Sequence, residues 1–276
     1  MRDLREGDVR PIGVFDSGLG GLTMVREFVK YLPGENIVYF GDTGRVPYGS
    51  RSPETIAQYA RQDESFLLSQ DVKMIIAACG TVSSVASHTG AGLPVPFIEV
   101  VSPAARAAAK LSKTGRIGVI GTSATISSGS YARQLQALRP DACVVSNDCP
   151  LFVPLVEAGW IDKDDPVTVE TARRYLAPIL EAKVDTLILG CTHYPVLSGI
   201  IGKIMGEDVT LINTGEMAAR AAAAYLESHA MLNRSEEERH CRYYVSDRTE
   251  SFSKVAAILL GRQIDDRVER VDISKY

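Results

Sequence analysis

The sequence predicts an α/β protein of two pseudo-symmetric parallel-sheet domains, with an active site in the cleft between them. Short apolar runs alternate with stretches of helical periodicity along nearly the whole chain, which is typical of parallel βα units. The pattern also repeats, because PIGVFDSG at 11–18 resembles RIGVIGTS at 116–123. MIIAACGT at 74–81 and LILGCTHY at 187–194 form a second matching pair. Two such pairs indicate two similar halves that face each other across a ligand.

The individual elements follow from this alternation. Apolar runs predict strands over residues 11–15, 36–40, 73–78, 96–100, 116–121, 142–146, 185–190, 208–213 and 241–246. Apolar positions three and four residues apart predict helices over 21–31, 52–70, 102–112, 128–138, 168–182, 196–205 and 215–230. We expect the strands to be buried on both faces. A serine followed by proline marks two helix starts, at Ser52 and Ser102.

Composition narrows the class of protein. The 276 residues are 45% hydrophobic and 23% charged, with a formal net charge of −4, as is ordinary for a globular protein. Nucleic-acid binding usually needs a basic surface, so we expect no nucleic-acid partner. A small anionic substrate is compatible with this net charge. The first ten residues are charged, and no apolar run approaches the roughly 18 residues of a membrane span. We therefore expect a cytoplasmic protein with no membrane partner.

The five cysteines show neither CxxC nor zinc-finger spacing. We expect free thiols in a reducing compartment and no metal site. Cys143, Cys149 and Cys241 have no distinctive context and are predicted to be structural. Cys79 and Cys191 differ, because each follows an apolar strand run and stands in the same kind of small, threonine-bearing turn.

Ligands of parallel α/β sheets bind at the carboxyl ends of the strands. Polar or reactive residues follow four predicted strands, at 16–18, 79–81, 121–123 and 191–193. Two of these turns come from each half, so facing halves place Cys79 and Cys191 on opposite sides of one cleft.

Two facing thiols suit the inversion of a carbon that bears one hydrogen. One thiolate removes the proton from one face, and the other thiol returns a proton to the opposite face. An unperturbed cysteine pKa of about 8.5 makes both forms accessible. We expect Asp16 near Cys79 and His193 near Cys191, each assisting its thiol. A carboxylate raises a neighbouring thiol pKa and a protonated histidine lowers it, so the two thiols are pushed towards acid and base.

Two glycine-rich stretches complete the predicted cleft. DSGLGG at 16–21 lacks the G-x-G-x-x-G spacing of a dinucleotide site and is interpreted as a helix N-terminus suited to a carboxylate. GDTGRVPYGSRSP at 41–53 is predicted to close over the ligand. Thr122 is either a helix N-cap or a ligand contact. Asp42 and Glu157 are left open between helix capping, ion pairing and a role in the site.

Six segments resemble the glutamate racemase family, in that family's order, over residues 11–230. They are VFDSGLGGLT, YFGDTGRVPYG, AACGT, GTSATISSGSY, PLVEAG and LGCTHYP. The resemblance implies cofactor-independent racemisation of glutamate, which supplies D-glutamate for bacterial peptidoglycan. It also implies a homodimer and two α/β domains, the first formed by residues 1–101 and 212–276 and the second by 102–211.

The resemblance assigns roles residue by residue. Cys79 and Cys191 would exchange protons with the substrate Cα, assisted by Asp16 and His193. The implied substrate-binding residues are Asp16, Ser17, Tyr48, Gly49, Gly80, Thr81, Thr122, Thr192 and His193. The family usually has asparagine where this chain has Gly80. The loss of that side chain either weakens substrate binding or is made up by a neighbouring residue or a water, and the sequence leaves both open.

Three alternatives remain at this point. The first is a racemase of another acidic amino acid, such as aspartate, or of a hydantoin. The second is a decarboxylase on the same fold, against which the presence of both Cys79 and Cys191 argues. The third is a non-catalytic ligand-binding or gyrase-interacting protein that uses the same cleft.

Overall fold

The strands form two sheets. A computed structural model describes residues 7–247, 252–264 and 268–276. Its strands are β1 Ile12–Asp16, β2 Ile37–Gly41, β3 Met74–Ala77, β4 Phe97–Glu99, β5 Arg116–Gly121, β6 Cys143–Asp148, β7 Thr186–Leu189, β8 Thr210–Asn213, β9 Cys241–Val245 and β10 Val268–Arg270. One sheet has the order β10-β9-β2-β1-β3-β4 and the other β6-β5-β7-β8. Neighbouring strands are parallel in both sheets.

Helices connect the strands. They are α1 Leu22–Tyr31, α2 Pro53–Ser69, α3 Gly80–Val85, α4 Val101–Leu111, α5 Ser123–Ser128, α6 Ser130–Leu138, α7 Phe152–Ala158, α8 Pro166–Glu181, α9 Ser198–Met205, α10 Thr214–Ser228 and α11 Phe252–Leu260. Short 3-10 helices cover Tyr48–Ser50, Ser87–Gly90, Tyr194–Leu197 and Ile273–Lys275. Helices α3, α5, α7 and α11 and strand β10 are absent from the sequence-based prediction. None of the helices in the described part of the chain combines the length and the apolar composition that a membrane span needs.

The two sheets repeat one topology, which confirms the predicted fold class. The order β2-β1-β3-β4 in the first sheet matches β6-β5-β7-β8 in the second. Ile12 of β1 pairs with Ile37 of β2 and with Met74 of β3. Ile117 of β5 likewise pairs with Val144 of β6 and with Thr186 of β7. In each sheet, the strand that leads to a cysteine turn therefore lies beside the central Ile-Gly-Val strand.

The prediction that the strands are buried on both faces is confirmed for the central strands and is wrong for the edge strands. Every residue of β1, β2, β3 and β7 is buried. The residues of β4 are half-buried, and those of β6 are half-buried or exposed. An edge strand has a neighbour on one side only and lies outside the helices that cover the sheet centre.

Capping explains where several helices begin. The predicted start at Ser52 is confirmed, since the Ser52 hydroxyl accepts a hydrogen bond from the Thr55 amide at 3.3 Å. The predicted start at Ser102 is wrong, because the Glu99 carboxylate binds the amides of Val101 and Ser102 and begins α4 earlier. The helix predicted over 128–138 is interrupted by Gly129, whose φ of 63° is left-handed and separates α5 from α6.

The division into domains stays a prediction. The sheet changes between β4 and β5, and the predicted boundary at residue 212 falls within β8 of the four-stranded sheet. Helix α10 contacts both α1 and α4, so it packs against elements before and after the first predicted boundary. Residues 1–6, 248–251 and 265–267 of the predicted first domain lie outside the described residues.

Candidate active site

A cavity of about 510 Å³ opens between the carboxyl ends of the two sheets. It is lined by all eleven residues that the sequence singles out: Asp16, Ser17, Tyr48, Gly49, Cys79, Gly80, Thr81, Thr122, Cys191, Thr192 and His193. Ten further residues line it: Gly18, Val46, Pro47, Ser50, Ser123, Pro150, Val153, Pro154, Glu157 and Gly190. Val46 and Pro47 belong to the loop over 41–53 that was predicted to close over the ligand, whereas Pro150, Val153 and Pro154 were missed, because nothing in their sequence pattern distinguishes a cavity wall from a loop.

A larger cavity, of about 700 Å³, lies at the opposite edge of the six-stranded sheet. Its lining includes Pro11, Asn36 and Cys241, which stand at or just before the amino ends of β1, β2 and β9. Ligands of parallel sheets bind at the carboxyl ends. The smaller cavity, which contains both cysteine turns, is therefore the candidate active site.

The topology explains why the cysteine turns meet. β1 and β3 are neighbours in one sheet, so Asp16 at the end of β1 lies beside the turn that carries Cys79. β5 and β7 are neighbours in the other sheet, so the turn with Thr122 lies beside the turn with Cys191. Carboxyl ends of parallel strands share one edge, and the two edges face each other across the cavity.

Cys79 lies in surroundings that keep its thiol protonated. The side chain is buried, and Sγ donates a hydrogen bond to Ser17 Oγ at 3.3 Å. Burial and the nearby Asp16 carboxylate raise the Cys79 pKa to about 12. Burial also raises the Asp16 pKa, against the opposing effect of His193 and of the Gly21 and Gly18 amides.

Cys191 has an imidazole as its neighbour. His193 Nδ1 lies 3.9 Å from Cys191 Sγ, and His193 Nε2 lies 2.9 Å from Glu157 Oε1. Burial lowers the His193 pKa, but the bonds with Cys191 and Glu157 outweigh it and raise the pKa to about 10. His193 is therefore an imidazolium at neutral pH, which is the kind of neighbour that stabilises a thiolate.

Glu157, left open by the sequence, faces the cavity from α7. Its side chain is 44% exposed and holds the outer nitrogen of His193. The pairing fixes the imidazole ring against Cys191, as a carboxylate does for histidine in other acid–base sites. The signal that the sequence offered was the PLVEAG segment, whose helix was not recognised.

Asp42 lies behind the cavity and does not line it. Its buried carboxylate bonds Arg45 Nε at 2.5 Å and also accepts from the Tyr48 hydroxyl. The Tyr48 hydroxyl lies 3.2 Å from a second buried carboxylate, Asp63, which Arg45 also binds. This cluster anchors Tyr48, and with it the loop over 41–53, against the first sheet. Asp42 is thus an ion-pair partner.

Thr122 is the N-cap of α5 and lines the cavity, while its contact with a ligand stays a prediction. Its hydroxyl accepts from the Thr125 amide at 3.3 Å as the N-cap of α5. The same hydroxyl lies 3.1 Å from Thr81 Oγ1 across the cleft. Thr23 makes a further link between the halves, since its hydroxyl donates to the Thr192 carbonyl at 2.8 Å.

The glycine-rich loop at 16–21 uses its amides differently from the prediction. The Gly18 amide donates to Asp16 Oδ2 at 3.0 Å, and the Gly21 amide also bonds the Asp16 carboxylate. At these two amides, the loop therefore binds a carboxylate of its own chain. Within the residues that the structure describes, no group of three or more His, Cys, Asp or Glu side chains is arranged to hold a metal ion.

Known proteins are similar to this chain over nearly its whole length. Residues 12–222 match the family described as Asp/Glu/Hydantoin racemase. The chain is 45% identical to a glutamate racemase of Geobacter metallireducens, over 93% of this chain and 95% of the relative. It is 46% identical to a glutamate racemase of Syntrophus aciditrophicus, over 96% and 98% of the two chains.

Solved structures lead to the same family. A Francisella tularensis glutamate racemase in complex with D-glutamate superposes with a TM-score of 0.89 at 37% identity, covering 98% of this chain and 100% of that one. A Thermus thermophilus glutamate racemase in complex with beta-chloro-D-alanine gives a TM-score of 0.86 at 41% identity, with 97% and 99% covered. These matches confirm the resemblance. The chain belongs to the Asp/Glu/Hydantoin racemase family.

Proposed function

We propose that this protein is a glutamate racemase that interconverts L- and D-glutamate with Cys79 and Cys191 as its two acid–base residues. The observation that carries the proposal is that both buried thiols line one cavity at the facing carboxyl ends of two sheets. The similarity to glutamate racemases over nearly the whole chain supports the choice of glutamate.

The reaction needs one proton to leave Cα and another to arrive on the opposite face. A thiolate takes the Cα proton, so that a C–H bond breaks and an S–H bond forms. The electron pair of the broken bond moves into the α-carboxylate, which becomes an ene-diolate. The thiol on the other side then gives its proton to Cα, and its sulfur becomes the new thiolate. After one turnover, the two sulfur atoms have exchanged protonation states.

The surroundings of the two thiols favour different roles. Cys79, with a pKa of about 12, holds its proton and is suited to donate it to Cα. Cys191 Sγ lies 3.9 Å from the His193 imidazolium, a neighbour suited to the base of the pair. We therefore assign proton removal by Cys191 to the enantiomer whose Cα–H faces it. The other enantiomer uses the two cysteines in exchanged roles.

The predicted substrate residues surround the space between the thiols. Ser17, Thr81, Thr122 and Thr192 supply hydroxyl groups to the cavity wall. Such groups are suited to a substrate that carries one ammonium and two carboxylates. The same proposal includes the supply of D-glutamate for peptidoglycan, a cytoplasmic location and a homodimer.

The decisive experiment follows optical activity without any added cofactor. We expect purified protein to bring L-glutamate and D-glutamate to the same racemic mixture, measured by circular dichroism. In D2O, the product should carry one deuterium at Cα, measured by mass spectrometry. L-aspartate in parallel incubations tests the alternative substrate. Turnover of aspartate and not of glutamate would replace the proposed substrate, and turnover of neither would reject the proposal.

A further inference from the structure

The turn over 191–195 contains a buried backbone carbonyl that its own sequence leaves without a local partner. The Val196 amide donates to the His193 carbonyl, three positions before it, at 3.1 Å. The corresponding donor for the Thr192 carbonyl would be residue 195. That residue is Pro195, which has no amide hydrogen. Since Thr192 is buried, its carbonyl needs a hydrogen-bond donor from elsewhere in the protein.

Thr23 supplies that donor from the other half of the molecule. It is a buried residue in the first turn of α1, just after the loop over 16–21. Its hydroxyl donates to the Thr192 carbonyl at 2.8 Å and shares the hydrogen with the Gly20 carbonyl at 2.9 Å. The Gly20 carbonyl also accepts from the Thr23 amide at 3.0 Å. In the part of the chain that the structure describes, the Thr23 hydroxyl is the one hydrogen-bond donor to the Thr192 carbonyl.

The same loop packs against the side chains of the turn. A Cβ atom at Gly20 would overlap Thr192 Oγ1 and would lie 2.5 Å from His193 Nδ1. His193 Nδ1 is the nitrogen that faces Cys191 Sγ at 3.9 Å. Thr192 is bonded to Cys191 on one side and to His193 on the other, so a shift of its carbonyl moves both of these groups.

We propose that Thr23 is a positioning residue, which holds the Cys191–His193 turn against the half of the molecule that carries Cys79. The inference rests on the proposed function. Thr23 does not line the cavity among the described residues, so it acts through Thr192. Proton transfer requires reacting atoms about 3 to 3.5 Å apart, and an error of about 1 Å costs on the order of 100-fold in rate. Loss of the hydroxyl should therefore slow the step that needs both thiols.

The test is Thr23→Val, which removes the hydroxyl and keeps the branched shape of the side chain. In D2O, racemisation requires both thiols, whereas exchange of the Cα hydrogen with retention requires one. We expect racemisation of glutamate to fall by about tenfold to 100-fold and the exchange-to-racemisation ratio to rise several-fold. The remaining exchange should favour the enantiomer that Cys191→Ser also exchanges. Chiral chromatography with mass spectrometry measures both reactions in one sample.

Two variants serve as controls. Thr23→Ser keeps the hydroxyl and should restore both the rate and the ratio. Thr168→Val removes an equally buried hydroxyl, which donates to the Trp160 carbonyl at 2.7 Å away from the cavity lining. It should leave the rate and the ratio unchanged.

Three outcomes would overturn the proposal. They are racemisation by Thr23→Val within about twofold of the unmodified protein, a slower rate with an unchanged ratio, and a loss in Thr23→Ser equal to that in Thr23→Val. Absence of racemisation in the unmodified protein would instead reject the proposed function, so the two failures are distinguishable.

A double variant keeps the inference testable if Thr23→Val does not fold. Pro195→Ala gives residue 195 an amide hydrogen, so the Thr192 carbonyl gains a local donor in place of the Thr23 hydroxyl. Added to Thr23→Val, it should raise racemisation and lower the exchange-to-racemisation ratio. Where Thr23→Val yields no folded protein, recovery of folded, racemising protein in the double variant is the corresponding result. A double variant that racemises no faster than Thr23→Val would contradict the proposal.

Discussion

The Cys79 side and the Cys191 side of the cavity share a backbone plan and differ in their side chains. Each thiol follows the strand beside the central Ile-Gly-Val strand of its sheet. Cys79 bonds a neutral hydroxyl, Ser17, and has the Asp16 carboxylate nearby. Cys191 has an imidazole that is itself held by Glu157. The repeat supplies the geometry for a symmetrical exchange, and the side chains make its two ends chemically different.

The different side chains around Cys79 and Cys191 favour one position for the shared proton in a nearly symmetrical site. Two identical thiols share a proton equally, and a fraction of the molecules then carries either two thiols or two thiolates. The Asp16 carboxylate and burial keep the proton on Cys79, and the His193 imidazolium places a positive charge on the opposite side. Substitutions on each side of the cavity should therefore affect the reaction to different extents.

Replacing either thiol should have the largest effect on the rate of racemisation. We expect Cys79→Ser and Cys191→Ser each to lower racemisation by about 10³-fold or more, because a positioned acid–base group contributes roughly 10² to 10⁴. Each variant should still exchange the Cα hydrogen of the one enantiomer that faces its remaining thiol. Deuterium incorporation into L- and D-glutamate, measured separately, identifies that enantiomer.

The two variants should prefer opposite enantiomers. Cys143→Ser, at an exposed thiol far from the cavity lining, is the matched control and should keep full activity. Full turnover in both single variants of the cavity thiols would remove them from the mechanism.

The His193 imidazole lies against Cys191 and also lowers the pKa of Asp16 on the other side of the cavity. We expect His193→Asn to lower kcat by about 100-fold, a value within the range for a group that assists proton transfer. The loss should be larger for the enantiomer that reacts with the Cys191 thiolate. Initial rates from each enantiomer at saturating substrate provide the measurement, and equal losses of kcat in both directions would contradict the assignment of His193 to Cys191.

The alkaline limb of the pH–rate profile tests the pairing of His193 with Glu157. The His193 pKa is raised to about 10, so activity should persist at neutral pH and fall as pH rises through about 10. Glu157→Gln removes the negative charge of Glu157, one of the contributions that raise this pKa, so the limb should move to lower pH. We expect kcat at pH 7 to fall by about tenfold or less. An unchanged limb in Glu157→Gln would show that another group controls it.

On the Cys79 side, the hydroxyl of Ser17 should have a smaller effect. Ser17→Ala removes the hydrogen bond that Cys79 Sγ donates at 3.3 Å. A neutral hydrogen bond is worth about 0.5–1.5 kcal/mol, so kcat/KM should fall by about threefold to tenfold. Steady-state kinetics in both directions measure the loss. A loss as large as that of His193→Asn would contradict the expectation that Ser17 has the smaller effect.

The smallest effect on activity is expected at Asp185, at the amino end of β7 and away from the cavity lining. Its carboxylate accepts bonds from Ser112 Oγ, the Lys113 amide and the Thr114 amide and hydroxyl. Burial raises its pKa, but these bonds outweigh it and lower the pKa to about 2. Asp185→Asn should cost about 2 kcal/mol of stability and leave turnover at pH 7 unchanged.

The pH dependence of that stability has a defined sign. A depressed folded-state pKa contributes stability that is present above the unfolded value, near 4. It is lost as pH falls from about 4 to about 2. Urea unfolding followed by circular dichroism at pH 7 and at pH 3 should therefore show a smaller difference between the two proteins at pH 3. A constant difference would contradict the depressed pKa.

The sequence by itself was sufficient for the central strands and for the turns that follow them. Short apolar runs contain Ile12, Met74, Ile117 and Leu187. Such runs are typical of strands in a parallel sheet, because these strands are buried on both faces. Because parallel strands share their carboxyl edge, the candidate residues at those ends could be named from the chain alone. The edges were less predictable, as β6 shows, since exposure there depends on which elements cover the sheet.

Only the tertiary structure decided which side chains meet across the cavity. Three of these contacts join residues from different elements or different halves of the molecule. They are Glu157 with His193, Asp42 with Tyr48, and Gly80 with Gly190. Local propensity acts over a few residues, whereas these contacts depend on how two sheets are placed relative to each other. The pKa values of Cys79 and His193 depend on the same placement, because desolvation and neighbouring charge exist only once the halves have closed around them.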